Sequence, residues 1–205
     1  MGSTARAGSG RRTPKQKRSR QTVQAILDAV VRLLKREGAG AVTTNRIAEV
    51  AGVSIGSLYQ YFPDKQAIFS ALHERHIQEI DQSMQTALVD HASSALPDLL
   101  RAIVDAMIDA HARDPELHAL LSAQTPPHAE WTRHFAVRLH GVFRLAIAAR
   151  ARELKTRRNP DKLAFVAAHM VESLSHGAMF RRPPGLSLAG ARAETVRAIL
   201  AYLRA

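Results

Sequence analysis

TNRIAEVAGVSIGSLYQYFP, residues 44–63, is the stretch on which the fold turns. Ile47, Ala48 and Ala51 recur at i, i+1 and i+4, the inward stripe of a short amphipathic helix. Thr43 or Thr44 stands just ahead of it, where a hydroxyl accepts from the unpaired N–H groups of the first turn. Gly52 follows at once, and glycine reaches the positive φ that ends a helix in a tight turn. Ser54 is placed to cap a second short helix, Ile55 to Tyr61; Pro63 stops it, and Asp64 caps the next. Two short helices joined by a glycine-containing turn predict a helix-turn-helix, a motif whose second helix enters the DNA major groove.

Outward from this run the pattern stays helical. Residues 1–16, mostly Gly, Ser, Arg and Lys, read as a disordered basic arm. A first helix is predicted over 17–37, with Val23, Ile26, Leu27, Val30, Leu33 and Leu34 as its stripe and Gly38 at its end. Residues 17–63 are thus a three-helix DNA-binding head. The helix capped by Asp64 runs to about residue 90 as a connecting rod, with Ile68, Leu72, Ile77, Ile80, Met84 and Leu88 facing inward. Further helices are predicted over 97–113, 115–123, 128–154 and 160–180, and a ninth carries Val196, Ile199, Leu200 and Leu203. No alternating segment exceeds four residues, and no internal repeat is visible. The expectation is an all-α protein of nine helices, its head followed by a helical domain over 64–205.

The 205 residues carry no cysteine, which excludes disulfides and thiolate metal sites and fits a reducing compartment. No apolar run approaches the ~20 residues of a membrane span, and the N-terminus lacks the apolar segment of a signal peptide. A cytoplasmic protein that makes no membrane contact is therefore expected, and its helix-turn-helix would place it on the nucleoid. The net charge is +11, and its placement is informative. Residues 1–20 hold Arg6, Arg11, Arg12, Lys15, Lys17, Arg18 and Arg20 and no acid, whereas residues 64–205 carry only +3. A basic arm leading into a helix-turn-helix is an electrostatic footprint for phosphate. There is no nucleophile elbow, phosphate-cradling glycine loop or HExxH, so no catalytic residue and no cofactor is expected.

Thr43-Thr44, Ile47-Ala48, Ala51-Gly52-Val53-Ser54, Gly56, Leu58-Tyr59, Tyr61-Phe62 and Lys65 together resemble the tetracycline-repressor (TetR) family of bacterial transcription regulators. The resemblance is close over residues 17–75. Beyond them it rests on helix order and on ESLSHGAMFRRPPG, residues 172–185, before a final amphipathic helix. It implies a homodimer that binds a double-stranded DNA operator and is released by a small-molecule effector. It also implies phosphate contacts from Thr43, Thr44, Ser54, Ser57, Tyr59 and Lys65, and hydroxyls and N–H groups at helix N-termini suit that task. For Thr44 and Ser54, capping and phosphate contact can coexist. Asn45, Ile55, Ser57, Gln60 and Tyr61 are the candidates for reading base edges, an amide on adenine and Ile55 on a thymine methyl. Gly56 lets the helix press close to the groove. Leu58 and Phe62, four apart, belong to the core. The second helix has no arginine for bidentate guanine readout, which leaves room for shape readout.

For the C-terminal domain the resemblance implies an effector cavity among the middle helices and pairing through the last two. Leu163, Val166, Met170 and Leu174, with Val196, Ile199, Leu200 and Leu203, are the apolar positions expected at a dimer seam. Met107, His111, Trp131, Phe135 and Phe143 are candidates for a mostly apolar cavity, with His169 on a polar wall. His169, Glu172, Ser173 and His176 share one helix face, but the two histidines lie two turns, about 10 Å, apart. That is too far for one ion, and no metal is expected. The competing readings are an effector-independent architectural DNA-binding protein and, more remotely, a helical enzyme.

Overall fold

The computed structural model describes residues 14–124, 130–154 and 157–205, with side chains from Lys17 onward except those of 124, 130–132 and 152. Two compact units divide it, Met1–Phe69 and Ser70–Ala205. Every regular element among the described residues is helical.

The N-terminal unit holds α1 (Pro14–Glu37), a turn of 3-10 helix (Ala39–Ala41), α2 (Thr44–Ala51), α3 (Ile55–Tyr61) and the first turn of α4 (Lys65–Asp90). Helix α1 begins three residues before the expected start, at a proline, which the first turn of a helix accepts because its N–H would be unpaired there anyway. The predicted caps form as chemistry requires. Thr43 accepts from the Arg46 N–H at 3.3 Å, Ser54 from the Ser57 N–H at 3.0 Å, and Asp64 from the Ala67 N–H at 2.7 Å. Gly52 ends α2 in the left-handed region at φ 70°. Ile26, Val30, Leu33, Ile47, Leu58 and Ile68 are buried to within 1% of complete exclusion, which locks α2 and α3 against α1.

The C-terminal unit contains the rest of α4, then α5 (Leu96–Ala112), α6 (Pro115–Gln124), α7 (Glu130–Ala149), α8 (Ala151–Leu154), α9 (Pro160–Phe180) and α10 (Leu188–Arg204). Helix α9 is its centre and packs on α5, α7 and α10. The face it buries is small: Leu163, Ala164, Ala167, Ala168, Val171, Ser175 and Ala178. Short side chains bring neighbouring backbones close, so large residues from α5 and α7, such as Leu99, Ile103, Met107 and Phe143, fill the core around them. Arg192 on α10 bridges Asp105 and Asp109 on α5.

The predicted helix over 128–154 is instead α7 and a single turn, α8, divided at Arg150. The cause lies elsewhere in the chain. The α4–α5 connection ends at Ala95, whose side chain cannot cap α5. Arg150 Nη2 donates to the carbonyls of Ala92 at 2.9 Å and Ser94 at 2.8 Å, and Glu153 accepts from the Leu96 N–H at 3.4 Å. Turning the chain at Arg150 lets α8 supply the cap that local sequence lacks.

Candidate nucleic-acid interface and the interior of the C-terminal unit

Helix α3 shows which of its residues the head can spare. Leu58 is fully buried, while Ile55, Tyr59 and Tyr61 are 39%, 49% and 36% exposed, unusual for large apolar side chains. Asn45, Ser54, Gly56, Gln60 and Lys65 are also exposed, and Thr44 and Ser57 are half-buried. The nominated positions therefore form one accessible set around the N-terminus and outer face of α3. Several are preorganised: the Tyr59 hydroxyl donates to Thr44 Oγ1 at 3.4 Å and Ser54 Oγ to Ser57 Oγ at 2.8 Å. A Cβ on Gly56 would meet only Ser54 Oγ, at 3.9 Å, so nothing inside the chain demands glycine there. Lys65 Nζ lies 5.2 Å from the Phe69 ring centre, at the start of α4. Arg46, by contrast, is committed to Glu37 and Glu49 at 2.6 Å each and ties α2 to the end of α1. Hydroxyls, a lysine, an amide and exposed apolar groups around a helix N-terminus suit a phosphate backbone and base edges together.

The C-terminal unit revises several expectations. Leu163, Ile199 and Leu203 are fully buried within one chain and Val196 nearly so, which leaves them no surface for a partner. The face that α9 buries runs instead along Ala164, Ala167, Ala168 and Ala178. Val166, Met170 and Leu200 are half-buried and Leu174 is exposed, so these four of the eight seam candidates remain available; Phe165, 55% exposed, joins them. His169 is not on a cavity wall either: it is exposed, its ring lies tilted against Phe165 with centres 4.2 Å apart, and it pairs Nδ1 with the Phe165 carbonyl. Met107 and Phe143 are packed in the core. Phe135 lines a cleft of about 240 Å³ with Asp81, Met84 and Arg138. Trp131 lies outside the described side chains.

What sequence reasoning missed is a histidine cluster. His73 and His76 of α4, His111 of α5 and His118 of α6 are buried, and His176 of α9 is half-buried. His118 is the hub: its Nδ1 is 3.1 Å from His76 Nε2 and its Nε2 is 2.9 Å from His176 Nε2. His111 Nδ1 donates to the Met107 carbonyl at 2.7 Å. Phe180 stacks nearly parallel on His118 at 4.8 Å. Burial opposes charge on every ring. It pushes His76 down to about 4, helped by His111 and partly offset by Asp114, and His73 down to about 4, helped by His76. His118 falls to about 2, from burial and then the surrounding imidazoles. His111 and His176 are lowered by burial as well, the Met107 bond acting the other way on His111. All five are therefore uncharged at neutral pH.

A three-helix head presenting α3 is a helix-turn-helix, and every element described in the unit that follows it is helical. Residues 26–72 match the bacterial regulatory proteins of the tetR family, and residues 95–203 match the tetracyclin repressor-like C-terminal domain. The chain belongs to the tetR family of bacterial regulatory proteins. Over 108 residues it is 34% identical to the nucleoid occlusion factor SlmA of Haemophilus ducreyi, a match covering 52% of each chain. Over 98 residues it is 30% identical to the HTH-type transcriptional regulator AcrR of Shigella flexneri, 46% of each. The chain thus spans about half the length of the curated relatives it matches. It shares a fold with Thermus thermophilus FadR, a TetR family transcriptional repressor solved in complex with lauroyl-CoA, at a TM-score of 0.60, 20% identity, and coverage of 87% of this chain and 93% of that one. Among the described residues no helix is long and apolar enough to cross a membrane.

Proposed function

We propose that this protein is a nucleoid-bound transcriptional repressor that binds a pseudo-palindromic DNA operator as a two-fold dimer and is released by a small molecule in its C-terminal unit. The observation that carries the reading is the outer face of α3. Three large apolar residues and Gln60 are exposed there, around a glycine that the fold itself does not need. Leaving Ile55, Tyr59 and Tyr61 in water gains nothing for the isolated head; against a groove, each has a methyl, a sugar or a phosphate to meet. The α9 and α10 residues still open, Val166, Met170, Leu174, Leu200 and Phe165, are the surface on which a second copy would close a four-helix seam. Two heads in a dimer then read half-sites about 34–36 Å apart, or a near multiple.

Selection of bound sequences from a random duplex library tests this directly. The proposal requires one recurrent two-fold motif, bound by two chains. Enrichment of no motif, with binding that follows only salt, would favour the architectural alternative.

A further inference from the structure

Eight large apolar or aromatic side chains are exposed among the described residues, and five of them already have a use. Ile55, Tyr59 and Tyr61 stand on the DNA-reading surface, and Phe165 and Leu174 at the seam of α9. The other three are Val89 of α4 and Val137 and Leu145 of α7, exposed by 75%, 64% and 66%. All three belong to the surroundings of the cleft of about 240 Å³ between α4 and α7, whose floor is the nearly buried Met84, Phe135 and Leu139. Leu145 lines it directly, and Val89 extends the i, i+4 row of Asp81 and Gln85 that forms its α4 side.

On α7, Val137, Gly141 and Leu145 follow at i, i+4 and i+8 and so share one side of the helix. Gly141 has no counterpart inside the chain to explain it. A Cβ there would meet nothing within 4 Å, and glycine is the poorest helix former after proline. Bare backbone between two exposed apolar side chains lets a second backbone approach closely. The face thus has the form of a groove for a helix, with a cleft beside it for one anchoring side chain.

Charge identifies the occupant. Arg133 and Arg144 fall on one flank of the α7 stripe and Arg138 on the other. Arg133 and Arg144 are exposed, and no carboxylate is bonded to either among the described residues. Asp81, which lines the cleft, is already bound to Arg138 at 3.0 Å. The face is apolar along its middle and positive at its margins. A second copy of the same face would bring four such arginines together, and like charges across an interface oppose pairing. A DNA backbone has no need of the apolar row, and a bilayer has nothing to fill a cleft.

We infer that the α4–α7 face docks an acidic amphipathic helix of a partner protein. Its apolar row would lie along Val137, Gly141 and Leu145 with one side chain in the cleft, and its carboxylates would meet the forks of Arg133 and Arg144. The inference goes beyond the proposed repressor function and does not depend on it.

The test is a selection on the full chain from displayed helical peptides of about 20 residues, long enough to span α7 from Arg133 to Ala148. All carry the same leucine row, and the flanking positions are randomised among Glu, Lys and Ser. Enrichment of Glu on the flanks is expected. A selected peptide, followed by fluorescence anisotropy, should bind at least tenfold more weakly to the Val137→Gln, Leu145→Gln double variant. That variant keeps the chain's charge of +11, so the loss separates docking from general attraction to a basic protein. Phe165→Gln with Leu174→Gln should leave binding unchanged, and Arg133→Glu with Arg144→Glu should turn the flank preference to Lys in a fresh selection. Circular dichroism checks that each variant is folded. No preference for acidic flanks, or binding that survives Val137→Gln with Leu145→Gln, overturns the inference. So does a fall in oligomeric state on that double substitution, which would make the occupant a second copy, or binding to phosphatidylglycerol vesicles that the substitution abolishes while no helix is enriched. No DNA enters the selection, so failure of the operator reading would leave its result intact.

Discussion

Acidifying the protein from about pH 7 to pH 5 should strip stability from the C-terminal unit, because its imidazoles are neutral in the folded chain and free to protonate in the unfolded one. His73 and His76 are held down to about 4 and His118 to about 2, against an ordinary value of 6.5. As the pH falls through 6.5 the unfolded chain takes up protons on these rings, and the folded chain does not. The stability is thus fully present above pH 6.5 and declines below it, until the folded rings protonate in their turn. One such ring changes the unfolding free energy by about 1.4 kcal/mol per pH unit within that window. Three rings give about 4 kcal/mol between pH 6 and pH 5, with His111 and His176 acting in the same direction. Against a typical net stability of about 5–15 kcal/mol, that is a large share. Urea unfolding followed by helical circular dichroism, at fixed ionic strength and several pH values, measures the slope. His73→Leu should reduce it by about one proton. A urea midpoint that stays constant between pH 7 and pH 5 would refute the reasoning, since it would mean that the folded rings protonate as easily as unfolded ones.

Three further outcomes follow from the surfaces. Lys65→Ala and Tyr59→Ala should weaken binding nearly equally on operator and scrambled DNA, whereas Gln60→Ala or Asn45→Ala should erase preference at particular bases by about 1–3 kcal/mol per position, read by fluorescence anisotropy on single-base operator variants. Gly56→Ala should cost no thermal stability, because its Cβ has room and alanine is the better helix former, yet should lower operator affinity by crowding the groove; an unchanged affinity would remove the close-approach role. Phe165→Glu combined with Leu174→Glu should give a monomer by light scattering with normal helicity, since both side chains are exposed in the single chain.

The head was legible in the sequence because its decisions are local. Each cap that shapes it joins residues three apart, Thr43 to Arg46, Ser54 to Ser57 and Asp64 to Ala67, and Gly52 supplies the left-handed turn on its own. The break at Arg150 could not be read in this way, because it answers a missing cap at Ala95, more than fifty residues earlier. The core face of α9 was hidden for a different reason. Ranking apolar residues by size points to Leu163, Val166, Met170 and Leu174, but a helix at the centre of a bundle is packed most closely along its alanines.

His169 and His176 carry the argument furthest. Seven residues apart, they lie on nearly the same face of one helix, and periodicity assigns them one environment. The fold gives them two. His169 is exposed against Phe165, while the His176 ring lies under α6, with His118 at 2.9 Å and His111 nearby. A helix face is a property of the sequence, but what covers it changes turn by turn with the elements that cross it. Side chains brought together from α4, α5, α6 and α9 are separated by 42 to 58 residues across their two direct contacts. No window of local pattern spans that distance, so the cluster becomes visible only when the fold brings His118 of α6 to His76 of α4 and His176 of α9.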